Sequence, residues 1–307
     1  MQKNKPMQII HTVAALRAAL SGISNSGQNI GFVPTMGNLH AGHIQLVDLA
    51  KKHAQCVVVS IFVNPLQFSP SEDLSAYPRT LETDFDKLKA AGCHIVFAPS
   101  VTEIYADFDG ENLNQSMTIQ PPPVANVLCG ATRLSHFAGV ATVVMKLFNM
   151  VAPDIAVFGK KDFQQLFIIK QMVAQFNLPI DIIAGETVRD ANGLALSSRN
   201  GYLNDVQRAA ASQLNSALQG IMLSVKNGDT QFELLEDIAT KALMRQGWEV
   251  DYISIRSSAT LQTATVHDHG LVVLGAAKMT NKTGGKTRLI DNIEFRISDW
   301  LYYNSSF

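Results

Sequence analysis

The chain has 307 residues, of which 47% are apolar and 17% charged, and its 25 Lys and Arg residues nearly balance 26 Asp and Glu residues. This balance excludes a broad basic surface for a nucleic-acid backbone, so any polyanionic ligand must be small and bound locally. No apolar run is long enough for a membrane-spanning helix, which predicts a cytoplasmic protein without a membrane partner. Three scattered cysteines, Cys56, Cys93 and Cys129, predict neither a disulfide framework nor a structural zinc site.

The first half of the chain alternates short β-branched runs with amphipathic stretches. The β-branched runs lie at 29–35, 56–63, 94–100, 154–159 and 178–184. Continuous apolar runs are typical of strands buried on both faces, and their alternation with helices indicates βαβ units. For residues 1–186 we therefore predict a Rossmann-like, doubly wound α/β domain with a parallel sheet.

The pattern changes after about residue 186. Two helical patterns, at 204–226 and 230–246, precede the strand-like segments WEVDYISI, GLVVLGAAKM and RLIDNIEF. We predict a smaller α+β C-terminal domain over residues 187–307. Two loosely composed segments, 68–80 and 117–130, are long enough to act as lids or binding loops.

The first strand-to-helix junction has the sequence GFVPTMGNLHAGHIQL. In open α/β sheets, ligands bind where strand carboxyl ends meet helix N-termini. Gly37 and Gly42 permit close approach of a ligand, and first-turn amides favour an anion. His40 and His43 would share one helix face, where two imidazoles could donate hydrogen bonds to a phosphate. Two other interpretations stay open: one histidine caps the helix while the other is partly buried, or the pair binds zinc, although no third ligand is evident.

Two further junctions carry cationic and hydroxyl groups. FGKKDFQQL places Lys160 and Lys161 at another helix start, which suits a polyphosphate, since lysines have the wrong sign for that end of a helix. NGLALSSRNGYL sets two serines beside Arg199, although alone it is also compatible with an ordinary polar turn. The three segments together contain no nucleophile with an adjacent base. They indicate nucleotidyl transfer, in which positioning and charge stabilisation dominate catalysis.

Five motifs carry a resemblance to a known family: PTMGNLHAGH, SIFVNPLQF, HFAGVATVVMKLFN, FGKKDFQQL and GLALSSRNGYL. In this order the chain resembles the pantothenate synthetases, also called pantoate-beta-alanine ligases, from about residue 28 to 205. The resemblance continues more weakly through VDYISI and RLIDN. HAGH is similar to the HxGH signature of nucleotidyltransferases related to class I aminoacyl-tRNA synthetases. The SSR segment is similar in position to their mobile phosphate-binding loop.

The resemblance implies an AMP-forming amide ligase that uses ATP and Mg²⁺. The carboxylate of (R)-pantoate attacks the α-phosphate to give pantoyl adenylate and pyrophosphate, and the amine of β-alanine then displaces AMP to give pantothenate. It also implies that the protein is a homodimer. Its implied binding partners are the small molecules pantoate, β-alanine and ATP. Two alternatives stay open: another HxGH nucleotidyltransferase, or a nucleotide-binding protein that has lost catalysis.

The resemblance also implies site residues, position by position. The catalytic set is His43, His40, Lys161 and Arg199. The ATP contacts are Met36, Gly37, Asn38, Leu39, His40, Ala41, Gly42, His43, Gly159, Lys160, Lys161, Asp162, Val188, Leu196, Ser197, Ser198 and Arg199. Gln67 and Gln165 match the two glutamines that hold pantoate, and Asn64, Phe62, Arg133 and His136 complete the substrate site. No protein ligand for a metal is assigned.

Two positions depart from the family pattern. Leu134 and Ser135 stand where the family usually has Pro and Gly, so this loop lacks a rigid residue and a conformationally permissive one. Lys160 stands where the family often has Glu, so it either adds charge near the triphosphate or faces solvent. We also expect residues 67–78 and the SSR segment to close only when nucleotide is bound, because a mixed anhydride must be shielded from water.

Overall fold

The computed structural model describes residues 6–68, 74 and 77–297. Six strands form one parallel sheet: β1 (Gln8–Ile10), β2 (Ile30–Thr35), β3 (Cys56–Ile61), β4 (Ile95–Phe97), β5 (Ile155–Gly159) and β6 (Asp181–Gly185). Their order across the sheet is β1-β4-β3-β2-β5-β6. This order confirms the predicted doubly wound, Rossmann-like sheet.

Helices cover both faces of this sheet. In chain order, the α-helices between β1 and β6 are α1 (Val13–Ser24), α2 (Ala41–His53), α3 (Leu81–Ala90), α4 (Val101–Ile104), α5 (Cys129–Thr132), α6 (His136–Val151) and α7 (Phe163–Gln175). Helix α5 belongs to the second of the two compact units of the chain. One face of the sheet packs with α1, α6 and α7, and the other packs with α2 and α3. Successive strand residues therefore enter different cores, as Phe32 and Val33 do, which explains the continuous apolar runs.

The sheet has a switch point between β2 and β5. Strand β2 pairs with β3 on one side and with β5 on the other, and the chain visits the two sides in succession. The loops at the carboxyl ends of such neighbouring strands diverge and leave a crevice. The HAGH segment follows β2, and the GKKD segment begins at the end of β5.

The C-terminal part is an α+β structure, as predicted. Helices α8 (Asp205–Lys226) and α9 (Phe232–Arg245) precede an antiparallel sheet of β7 (Glu249–Ser257), β8 (Gly270–Thr280) and β9 (Lys286–Arg296). Leu214, Leu218 and Leu243 from the two helices share a core with Ile255 and Val273 of the sheet.

The chain divides into two compact units. The first contains residues 1–125, 133–160 and 165–186, and the second contains 126–132, 161–164 and 187–307. Two short segments that precede residue 187, 126–132 and 161–164, thus pack with the second unit. Within the described residues, no helix combines the length and apolar character needed to cross a membrane.

Candidate active site

The loop after β2 makes a tight left-handed turn before α2. Gly37 has φ +82° and Asn38 has φ +50°, and the Gly37 N–H donates to Thr35 Oγ1 at 3.2 Å. A Cβ on Gly37 would lie 3.0 Å from Ile61 Cγ2 and 3.2 Å from Asp84 Oδ2. Both the conformation and the crowding therefore favour glycine at this position.

Asp84 on α3 holds this loop in place. Its side chain is fully buried, with 0% exposure, and it accepts from the amides of Asn38 and Leu39 at 2.8 Å each. Thr80 Oγ1 also donates to it, at 3.1 Å, and Lys87 Nζ donates to the Leu39 carbonyl at 2.7 Å. A buried carboxylate with three donors fixes the loop more firmly than neutral contacts would.

Asp84 is not among the site residues predicted from the sequence. A signal was present, because Asp84 lies four residues before the buried Leu88 and so falls on the apolar face of α3. A charged residue at a core position indicates a buried polar partner. The partner itself lies 45 or 46 residues away in sequence, where no local pattern can identify it.

His40 and His43 cap the start of α2 reciprocally. His40 is the N-cap, and its Nδ1 accepts from the Gly42 amide at 3.1 Å, while His43 Nδ1 accepts from the His40 amide at 3.2 Å. The rings are 4.1 Å apart between centroids. An Nδ1 that accepts a hydrogen bond carries no proton, so the proton of each neutral ring sits on Nε2. One geometry thus caps the helix and makes each Nε2 a donor.

Asn64 and Gln67 form a buried amide pair next to this loop. Asn64 Nδ2 donates to Gln67 Oε1 at 3.2 Å, and Gln67 Nε2 lies 3.0 Å from Met36 Sδ. Tyr105 donates its hydroxyl to Asn64 Oδ1 at 2.6 Å. Burial raises the pKa of Tyr105, which keeps this donor protonated at neutral pH. These contacts fix the orientation of the Gln67 amide.

Gly139 allows α6 to approach the turn that carries Gln67. Asn64 Nδ2 donates to the Gly139 carbonyl at 3.2 Å, and a Cβ on Gly139 would overlap the Leu66 carbonyl. The HFAGVATVV motif therefore places a glycine where two backbones meet. This requirement was not evident from helical periodicity.

His136 links Arg133 to the Gln67 backbone. Arg133 Nη1 donates to His136 Nε2 at 2.9 Å, since a guanidinium has no acceptor, and His136 Nδ1 then donates to the Gln67 carbonyl at 2.9 Å. The two positions that depart from the family pattern, Leu134 and Ser135, lie between Arg133 and His136. Ser135 adopts φ +61°, the left-handed conformation that glycine favours, and the neighbouring Leu134 is 77% exposed.

Other predicted residues of the first unit lie as follows. Phe62 is buried in the core, with its ring centroid 6.3 Å from that of Tyr105, and Gln165 is half-buried in the first turn of α7. Lys160 Nζ is paired with Glu186 Oε1 at 2.6 Å, so its charge is directed to a carboxylate just after β6. Residues 69–73 and 75–76 of the predicted flap lie outside the described residues.

The remaining predicted residues belong to the second unit. Lys161 is largely buried, with its Nζ 3.7 Å from Asp162 Oδ2. Val188 accepts from the Leu196 amide at 2.9 Å, which begins a hairpin-like turn toward the SSR segment. Ser197 Oγ accepts from the Arg199 amide at 3.2 Å and caps the 3-10 turn Ser198–Tyr202. The backbone of the SSR segment is therefore ordered by its own first serine.

A doubly wound α/β protein with a histidine-capped helix at the sheet's switch point is the class that these features define. The family model described as Pantoate-beta-alanine ligase matches residues 8–294. The chain therefore belongs to the pantoate-beta-alanine ligase family, as the sequence motifs indicated.

Individual relatives agree with this membership. The pantothenate synthetase of Methylobacillus flagellatus is 60% identical over 291 residues, which is 95% of this chain and 99% of the relative. Pantothenate synthetase from Thermus thermophilus has a crystal structure similar to this chain, with a TM-score of 0.84, 39% identity and coverage of 94% and 99%. The Francisella tularensis ligase, crystallised with beta-gamma ATP and beta-alanine, has a TM-score of 0.76 at 33% identity, with coverage of 94% and 97%.

Proposed function

We propose that this chain condenses (R)-pantoate with β-alanine to give pantothenate, with pantoyl adenylate as intermediate and AMP and pyrophosphate as by-products. The reciprocal capping of α2 by His40 and His43 carries the proposal. It sets two neutral imidazole donors at a helix N-terminus, where the macrodipole also favours phosphate. Relatives that match nearly the full chain have the same activity in their names.

In the first step, a carboxylate oxygen of pantoate bonds to the α-phosphorus, and the bond from that phosphorus to the bridging oxygen of pyrophosphate breaks. Negative charge grows on the α-phosphate oxygens in the transition state. Donors that are already oriented stabilise this charge without reorganisation. We assign this role to Nε2 of His43 and His40, and assign Lys161 and Arg199 to the triphosphate.

In the second step, the neutral amine of β-alanine attacks the acyl carbon of pantoyl adenylate. The bond between this carbon and the phosphate oxygen breaks, AMP leaves, and the new amide nitrogen gives up a proton. AMP is a good leaving group, so the step requires orientation and exclusion of water more than a protein nucleophile. No covalent enzyme intermediate is formed.

The pantoate site is assigned to Gln67 and Gln165, with Asn64, Arg133 and His136 behind Gln67. Asn64 and Met36 contact the side-chain amide of Gln67, and His136 donates to its backbone carbonyl, so the amide presents a fixed pattern of polar atoms. Hydroxyl and carboxylate groups of pantoate match such neutral donors and acceptors. Phe62 is assigned to the lining of the pantoate pocket.

The proposed reaction uses ATP together with Mg²⁺. In the part of the chain that the structure describes, no group of three or more His, Cys, Asp and Glu side chains is placed to hold a metal ion. Mg²⁺ that accompanies a nucleotide is commonly held mainly by phosphate oxygens and water. When bound, Mg²⁺ would neutralise phosphate charge. We further propose a homodimer that acts in the cytoplasm.

Product analysis tests the proposed activity. With ATP, Mg²⁺, pantoate and β-alanine, we expect equal amounts of pantothenate and AMP, and omission of any substrate should stop pantothenate formation. Transfer of AMP or CMP to a different acceptor would favour another HxGH nucleotidyltransferase. A folded protein that binds ATP but forms no product would instead be a silent nucleotide-binding protein.

A further inference from the structure

The RLIDN motif, residues 288–292 on β9, has no role in the proposed chemistry, yet its side chains contact three separate segments of the second unit. Arg288 Nε donates to Asp251 Oδ2 at 2.6 Å, and both terminal nitrogens of Arg288 lie 3.6 Å from Cys129 Sγ. Cys129 belongs to the segment 126–132. The motif therefore does more than complete a strand.

Asn292 holds the segment that carries Lys161. Its Nδ2 donates to the Lys161 carbonyl at 2.8 Å, and the side chain is only 6% exposed. The backbone N–H of Asn292 donates to Asp291 Oδ1 at 2.7 Å, and its backbone carbonyl accepts from Arg189 Nη2 at 3.2 Å. Because the Asn292 backbone is held through both groups, its side-chain amide is a rigid support for the backbone of Lys161.

Asp291 holds the segment that leads to the SSR sequence. It accepts from Arg189 through two parallel bonds of 2.7 and 2.9 Å, and from Asn215 Nδ2 at 3.0 Å. Arg189 also donates to the Gly193 carbonyl at 3.0 Å and forms a β-bridge with Ala195. An ion pair with a buried carboxylate and two parallel bonds fixes both position and orientation.

We propose that Asn292 is a positioning residue for ATP binding, which acts by holding the backbone of Lys161. Asp291, its neighbour on β9, holds Arg189 in the segment that leads to the SSR sequence. The inference rests on the proposed function, because Lys161 is assigned there to the triphosphate. Loss of one neutral hydrogen bond lets Lys161 shift without removing its charge. We expect Asn292→Ala to weaken ATP binding by about tenfold, the upper end of what one such bond contributes.

The test is calorimetric titration of the full chain with ATP and Mg²⁺, which does not depend on turnover. Gln213→Ala is the matched control, because Gln213 on α8 makes one neutral hydrogen bond in the same unit, accepting from Trp248 Nε1 at 2.9 Å, and Trp248 lies outside both residues 161–164 and the SSR segment. We expect the control to bind ATP as the wild type does. Equal weakening in both variants would overturn the proposal, since it would indicate general loosening of the second unit.

A double-mutant cycle gives a result that a merely structural role would not produce. In a Lys161→Ala background, Asn292→Ala should have little further effect on ATP affinity, because the side chain that it positions is already absent. The same tenfold loss in both backgrounds would overturn the proposal. If Asn292→Ala does not fold, Asn292→Ser replaces it in the cycle. The side chain of Ser is about one bond shorter than that of Asn, so its hydroxyl does not reach the Lys161 carbonyl.

The outcomes also separate this inference from the proposed function. If the wild type binds ATP but makes no pantothenate, the proposed ligase activity fails and the positioning role is still measured. If the wild type is an active ligase and Asn292→Ala binds ATP normally, the positioning role fails alone.

Discussion

His40 and His43 each accept a hydrogen bond from a backbone N–H of the first turn of α2. His40 Nδ1 accepts from Gly42 at 3.1 Å, and His43 Nδ1 accepts from His40 at 3.2 Å. The shared cap fixes both tautomers, so the donor at each Nε2 is set before any ligand arrives. Preorganised donors stabilise transition-state charge better than donors that must turn into place. Under the proposed function, capping and catalysis therefore place the same demand on this pair.

Substitution of His43 can separate these two roles. Glutamine at this position, the third of the helix, is a usual capping-box residue, so His43→Gln keeps an acceptor for the His40 amide but loses the imidazole donor. We expect the melting temperature to stay near the wild-type value and adenylation to fall by about 100-fold or more. Rapid-quench measurement of pantoyl adenylate checks this. A wild-type rate in His43→Gln would show that the cap alone matters.

The buried Asp84 should be needed for the loop. Both carboxylate oxygens of Asp84 accept hydrogen bonds, so in Asp84→Asn the side-chain NH2 group must face at least one of these N–H or O–H donors. We expect the free energy of unfolding to fall by about 2 kcal/mol, with a loss of adenylation. Urea denaturation provides the measurement. The exposed neighbour Asp86 is the control, since Asp86→Asn should change stability by less than about 0.5 kcal/mol.

Phosphate and pantoate contacts should separate in titrations. Lys161→Ala removes a charge assigned to the triphosphate, so it should weaken ATP binding and slow adenylation. Gln67→Ala and Gln165→Ala remove neutral contacts and should mainly raise the KM for pantoate. Steady-state kinetics with each substrate varied in turn checks both. Glutamine variants with a defect for ATP and a normal KM for pantoate would reverse the assignment.

Gly139→Ala should impair pantoate binding through the backbone. The added Cβ would force the turn at Leu66 away from α6, and Gln67 would move with it. We expect a cost of about 1–3 kcal/mol in stability and a raised KM for pantoate. Gly220→Ala is a matched control, because this helical glycine has open space around its Cβ position. That variant should gain up to about 1 kcal/mol.

Ser135→Gly should stabilise the protein. Serine at φ +61° costs about 1–2 kcal/mol, and glycine loses about 0.5–1 kcal/mol of this gain through its greater freedom in the unfolded chain. The expected net gain in unfolding free energy is about 0.5–1 kcal/mol, measurable by urea denaturation. Ser216→Gly within α8 should destabilise by about 0.5 kcal/mol. A loss of stability in Ser135→Gly would mean that the serine side chain has a role of its own.

Much of the fold was predictable because both cores leave local patterns. The runs at 29–35 and 154–159 became β2 and β5 within one residue at each end, and the pattern at 204–226 became α8. Strand β1 was missed, since three residues at a sheet edge carry no periodic signal.

The site was only partly predictable. Local motifs and their order identified the loops that carry His40, His43 and Lys161, and the resemblance to a family supplied the roles. The supports of those loops, Asp84 and Asn292, lie 45 and 131 residues away from the backbone atoms they hold. Such contacts depend on tertiary packing, so they cannot be predicted from a single sequence before the fold is known.

Pantoate-dependent exchange of labelled pyrophosphate into ATP tests the central claim most directly. The exchange requires reversible formation of pantoyl adenylate, so the account predicts that label enters ATP in the presence of pantoate without β-alanine. The same reaction with His43→Gln should be slower by about 100-fold or more. Exchange in the absence of pantoate would contradict the account. A folded protein that binds ATP but catalyses no exchange would contradict it as well.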